Sequence, residues 1–284
     1  MIVAKHTKKR MRRPLFIALF GLLPFLTGAQ SFEIGATGGL AFYSGDLSGD
    51  WASYLEDAGL SGGLFLRMRV SNALSVRSGF TYARVAGNEA RAAGTLDNGL
   101  FFYSPIGEMS LMGEWRIFNL YAGNVRISPY VAFGAAGFYF DPRLSLDGQE
   151  IRLRPLGTEG QGLAGYPEPY SPFQLSVPVG GGIHFALNDR WGVGVELIGR
   201  RSQTDYLDDV SSQDVGYWDI LLARGALAAY ISNPAISPDI APNNLVYRRG
   251  GIFTDWYYTA GLALSYRMFG RVLSRKGDVP CYKF

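Results

Sequence analysis

From Phe173 to Gln203 the chain alternates apolar and polar residues with a period of two, interrupted once by the polar run Asn188-Asp189-Arg190. Phe173, Leu175, Val177, Val179, Ile183, Phe185 and Leu187 share one face, opposite Gln174, Ser176, Gly180, Gly182 and His184. After the interruption Trp191, Val193, Val195 and Leu197 resume the apolar face, opposite Glu196 and Arg200. Successive strand side chains point to opposite faces, so the pattern predicts a β-hairpin. Its arms outrun the usual ~5–6 residues, and the face opposite the apolar one carries charge and glycine. A membrane barrel sets such an apolar face against lipid and lines its interior with the polar one.

The pattern recurs along the chain. A first strand is predicted from Phe32 to about Leu47, a second over Ser61–Val70, a third over Leu74–Val85 and a fourth over Leu100–Ile117. A fifth covers Pro129–Asp141, the hairpin supplies the sixth and seventh, and an eighth runs from Asp255 to Phe269. Connections after strands two, four and six are short (Ser71–Ala73, Asn119–Ser128, Asn188–Arg190), although the second of these is a longer turn. The others are long, notably 142–171 and 204–254, and Asp214–Ser232 reads as a short helix. An even strand number, short turns at one end and long loops at the other predict an all-β fold, a transmembrane antiparallel up-and-down barrel of about eight strands. Ten strands result if the last long loop hides a hairpin. Lipid leaves no backbone group unpaired, so such a sheet must close. Trp51, Trp115, Trp191, Trp256, Tyr257 and Tyr258 lie near strand ends, where an interfacial aromatic belt is expected.

The first thirty residues change the charge picture. Lys5, Lys8, Lys9, Arg10, Arg12 and Arg13 precede the apolar run Leu15–Leu26 and a small-residue exit, which predicts a cleaved signal peptide over 1–30 rather than a membrane anchor. The organisation is then signal peptide 1–30, outer-membrane barrel 31–270 and C-terminal tail 271–284. Without the leader, 21 basic groups face 24 acidic ones, so the apparent basicity belongs to export and argues for no nucleic acid. The single cysteine, Cys281, lies in the tail and can form no internal disulfide.

The predicted inward charges are Glu33, Arg67, Arg69, Arg77, Glu108, Glu114, Arg116, Glu196, Arg200 and Arg267. An eight-stranded barrel is just wide enough for side chains to fill. Buried charges must pair, so these are read as Arg–Glu networks that plug the lumen in preference to a conduction path. His184 is the one histidine after the leader, and no serine and acid can be placed around it from spacing. It reads as a hydrogen-bonded interior residue rather than a catalytic base. One histidine and one cysteine cannot supply a metal site, and no nucleotide fingerprint occurs, so no cofactor is expected. Asp205, Asp208 and Asp209 could hold a divalent cation or cap a turn, and the turn is favoured.

Several segments resemble the PorG family of outer-membrane barrels of type IX secretion. They are YSGDL (43–47), SPIGE (104–108), SPYVAFGAAGFYFDP (128–142), LRPLGTEGQG (153–162), RRSQTDYLDDVS (200–211), and RRGG followed by TDWYYTAG (248–261). The motif positions are Gly45, Asp46 and Leu47; Pro155, Leu156, Gly157, Thr158, Glu159, Gly160, Gln161 and Gly162; and Thr204, Asp205, Tyr206, Leu207, Asp208 and Asp209. The resemblance spans essentially the whole chain after the leader. It implies a non-enzymatic scaffolding barrel of the Gram-negative outer membrane, in contact with its lipids and with a periplasmic ring of a lipoprotein and a partner protein. The family brings no catalytic residues. Apart from it, a lipid-modifying or proteolytic barrel enzyme and a passive channel or membrane anchor remain the other readings.

Overall fold

In the computed structural model, residues 31–48, 51–88, 101–123, 125–146, 148–239, 241–251 and 254–270 are described. The expected leader (1–30), the tail with Cys281, most of the 87–99 loop and the Trp51 side chain lie outside them.

Alternation produces strands where it was expected. β1 spans Ser31–Ser44, β2 Gly59–Arg69, β3 Leu74–Asn88, β4 Phe101–Arg116, β6 Val125–Phe140, β9 Phe173–Ala186, β10 Trp191–Ser202 and β13 Trp256–Gly270. β5 (Leu120–Ala122), β7 (Arg143–Leu146), β8 (Gln149–Arg152), β11 (Val215–Gly216) and β12 (Val246–Tyr247) are short additions in the connections. Each long strand pairs antiparallel with its neighbours, β1 with both β2 and β13, and β6 with both β4 and β9. The eight long strands therefore form a closed barrel. Closure leaves no long edge and so meets the hydrogen-bond demand of a hydrocarbon environment.

The wall has two chemistries. Outward positions are apolar and bare: Met109 is 72% exposed and Leu262 67%, far above a soluble core residue. Inward positions on the same strands, such as Glu108 and Arg69, are buried. Tyr257 belongs to this inward set and not to the aromatic belt, because odd-numbered β13 residues face the lumen. Trp115 and Trp191 stay half-exposed at the short-turn end, and Trp256 stacks on Tyr258 near the other. Gly182 in β9 is required by close approach: a Cβ there would meet the Val195 carbonyl and the Tyr130 hydroxyl.

The short turns are held by side chains. Ser71 Oγ accepts from the N–H of Leu74 at 2.9 Å, and Asn188 Oδ1 accepts from those of Arg190 and Trp191, both at 2.8 Å. The connection expected as a plain turn over Asn119–Ser128 is instead a hairpin, with Leu120–Ala122 paired to Val125–Ile127. Both described chain ends, Ser31 and Gly270, pair with each other at this same end. The opposite end carries the long loops. Asp141–Pro172 contains the β7–β8 hairpin and a 3-10 turn at Arg154–Leu156; helix α1 (Trp51–Glu56) follows β1. In the last loop the expected helix is two, α2 (Tyr217–Arg224) and α3 (Ala226–Ser232), broken at Gly225, whose φ is +89°.

Candidate functional site

The lumen and its cap hold the polar chemistry. Most predicted lumen charges face one another inside the wall. Arg67 holds Glu114 in a two-pronged contact, Nε to Oε2 at 2.6 Å and Nη2 to Oε1 at 3.0 Å, and gives Nη1 to Glu33 at 3.2 Å. Glu33 also accepts from Arg69 at 2.8 Å and from Arg267 at 3.2 Å. One layer higher, Arg77 grips Glu196 at 2.6 and 3.0 Å, and the Tyr130 hydroxyl adds a 2.9 Å bond to it. The Phe65 ring lies beneath the Arg67 and Arg77 guanidinia, 4.9 and 4.2 Å from its centroid. Higher still, Arg200 reaches Glu108 at 3.1 Å, and the Tyr257 hydroxyl donates to the same carboxylate at 2.6 Å. Arg116 departs from this scheme: it donates Nη1 to the Asn72 carbonyl at 2.6 Å, at the short-turn rim.

Two-pronged guanidinium–carboxylate pairs are among the strongest polar contacts available to side chains. Here they also remove the free space. The internal cavities lined by this network are about 20 and 10 Å³, each room for about one water. His184 lies beside the smaller one, buried, with Nε2 3.4 Å from Ser265 Oγ. Spacing along the chain hid this histidine–serine pair, because it joins β9 to β13 through β10. It is buried, and among the described residues the cavity beside it has room for about one water.

Above Glu108 the lumen turns apolar. Tyr43, Val85, Phe102, Phe138 and Phe140 from the wall pack against Leu47, Leu153, Tyr170, Leu207, Val210 and Ile231 from the loops. This core is a lid over the long-loop mouth, and the family motifs build it. Thr158 and Tyr170 donate their hydroxyls to Asp209, each at 2.5 Å. Glu159 accepts from the Ser211 N–H at 2.8 Å and from its hydroxyl at 2.6 Å, which ties PLGTEGQG to TDYLDDVS. Tyr206 stacks on Tyr170 with centroids 4.6 Å apart. Gln161 Oε1 accepts from the Glu159 N–H, and Thr204 Oγ1 from that of Tyr206. Pro155 and Leu156 form the 3-10 turn that feeds Gly157, and Gly160 (φ +80°) brings its backbone against the Tyr166 ring. Gly45 and Leu47 join through Ser48 and the lid core, while Asp46 Oδ1 accepts from the Gly251 N–H at 2.8 Å.

Burial raises the pKa of the lid's carboxyls. Burial pushes Glu159 up to about 7 and Asp209 up to about 6. Burial, then the charge of Asp46, raises Asp205 to about 6. Tyr43 has one hydroxyl proton and two acceptors, Asp208 at 2.6 Å and Asp255 at 3.0 Å. Burial pushes both carboxyls well up, and Asp208 adds to the effect on Asp255. Asp208 and Asp209 are thus consumed by turn and lid bonds. No three acids, histidines or cysteines stand together as a metal site among the described residues.

Residues 12–156 match DUF6089, a domain of unknown function. No curated protein matches the chain. Among solved structures, neisserial surface protein A is 13% identical with a TM-score of 0.39, covering 85% of this chain and 99% of that one. Ail, the attachment invasion locus protein of Yersinia pestis, solved with the heparin analogue sucrose octasulfate, is 14% identical with a TM-score of 0.37, covering 84% and 97%. The outer membrane protein OprG of Pseudomonas aeruginosa is 12% identical with a TM-score of 0.36, covering 85% and 98%.

Proposed function

The chain belongs to the DUF6089 family, and we propose that it is a non-enzymatic docking barrel of the outer membrane, a scaffolding component of type IX protein secretion. Residues 1–30 direct export and are removed, and the barrel is anchored by lipid around its wall. The observation that carries the reading is the doubly filled lumen, ion pairs below and an apolar lid above, which leaves the outer wall and the two ends as working surfaces. The motif segments resembling PorG support the secretion assignment, and they are the segments from which the lid is built. The buried His184–Ser265 pair argues against catalysis, because among the described residues the cavity beside it has room for about one water. The periplasmic ring lipoprotein and its partner protein dock at the short-turn end, at Ser71–Ala73, Asn119–Ser128, Asn188–Arg190 and the 271–284 tail.

Affinity purification of the tagged protein from detergent-solubilised outer membrane tests this. Recovery of the ring lipoprotein with its partner, lost when the short turns are replaced by alanine, is the expected result. Recovery of the barrel alone refutes the secretion role.

A further inference from the structure

The lumen's charges do not balance along its length. Among the described residues, seven inward arginines face four inward glutamates, and the upper layers are matched: Arg77 with Glu196, Arg200 with Glu108. The surplus therefore collects at the short-turn mouth. There Arg69, Arg116, Arg126 and Arg267 occupy inward positions on β2, β4, β6 and β13, and Glu33 is the only carboxylate among them. The charges of Arg116, Arg126 and Arg267 all bear on Arg69. The buried Nε of Arg69 and that of Arg126 find no hydrogen-bond partner among the described residues. Arg116 is bonded to a neutral carbonyl. Guanidinium groups crowded in this way are costly unless an anion joins them, and their planar forks suit a carboxylate or phosphate.

We propose that the short-turn mouth of the barrel is a binding site for an oxyanion, a phosphate or carboxylate group that enters from the aqueous side and is held by Arg69, Arg116 and Arg126. All four arginines point inward, so headgroups of the surrounding lipid lie on the wrong side of the wall. Short turns face the periplasm in such barrels, so a periplasmic source follows from that orientation; the binding itself does not depend on it or on the secretion reading.

The test is ³¹P NMR relaxation of inorganic phosphate titrated with the purified full-length protein in a neutral detergent, at fixed ionic strength with chloride as the balancing anion. Saturable broadening is expected for the wild type. Arg116→Gln/Arg126→Gln should weaken binding at least about tenfold, the loss expected when charge-assisted bonds are removed. Arg248→Gln, exposed at the opposite, long-loop end, should leave it unchanged. The heat-dependent gel shift of a folded barrel is checked for each variant, and Arg126→Lys, which keeps the charge, should retain part of the binding. Repeating the titration in phosphatidylcholine nanodiscs should give the same response. Absence of saturation in the wild type, equal binding in the folded double variant, or abolition in nanodiscs overturns the solution-facing site.

Discussion

Glu33 gives the sharpest test of the ion-pair plug. Its carboxylate accepts from Arg67 at 3.2 Å, Arg69 at 2.8 Å and Arg267 at 3.2 Å, in a mouth already richer in arginine than in glutamate. Glu33→Gln keeps the shape and an acceptor oxygen but deletes the only negative charge available to Arg69, which is 2% exposed. An uncompensated buried charge costs about 3–5 kcal/mol when one partner of a pair is removed. Urea unfolding from lipid vesicles, followed by tryptophan fluorescence and extrapolated linearly, reads this as a lower midpoint. Adding Arg69→Met should recover part of the loss, because it removes the stranded cation and leaves an apolar filling. A loss below about 1 kcal/mol would put the contact in the range of exposed surface pairs and refute the claim that Glu33 is the buried counter-charge of Arg69.

Other consequences concern the lid. Glu159 is raised from 4.5 to about 7 and Asp209 from 3.8 to about 6, so the folded lid binds these protons more tightly than the open chain does. Its stability is therefore full below about pH 4 and falls as pH rises toward 7, by on the order of 2–3 kcal/mol for Glu159 alone. Hydrogen exchange over residues 204–215 should show protection falling across that window, and Glu159→Gln should flatten the profile; protection that rises with pH contradicts the sign. Gly160→Ala forces a side chain into a left-handed backbone position against the Tyr166 ring. It should loosen the lid by about 1–2 kcal/mol and leave barrel unfolding in place, read as faster proteolysis within 154–172. Tyr43→Phe leaves Asp208 and Asp255 without their shared donor, and should speed exchange at the Leu207 and Val210 amides that those carboxyls hold.

The sequence carried the barrel far better than it carried the site. Period-two alternation is a local property, and it located all eight long strands within a few residues. The signals it passed over were turn signals: Asp147-Gly148 between Leu146 and Gln149 marks the β7–β8 hairpin, and Gly123-Asn124 marks the one behind Ile117. Face assignment also put the four lumen glutamates and six of the arginines on the inward parity, but Arg126 escaped it because Asn119–Ser128 read as a turn and not as strand. Parity puts Tyr257 on the inward face of β13, but it could not say that Tyr257 bonds Glu108 or that Ser265 meets His184, because those contacts depend on register between strands 81 or more residues apart. The lid was the least legible part. Its polar motifs look like solvent loops in one dimension, and only the meeting of Thr158 with Asp209 and of Glu159 with Ser211 makes them an interior.

The ion-paired layers and the lid together close the centre of the barrel. Planar-bilayer recording of the purified protein tests that most directly, with Glu159→Gln/Asp209→Asn as a loosened-lid companion. No conductance steps are predicted for either protein, because the ion-paired layers from Glu33 to Glu108 remain closed beneath the lid. Stable, reproducible steps from the wild type would contradict the plugged lumen and turn the reading toward a channel.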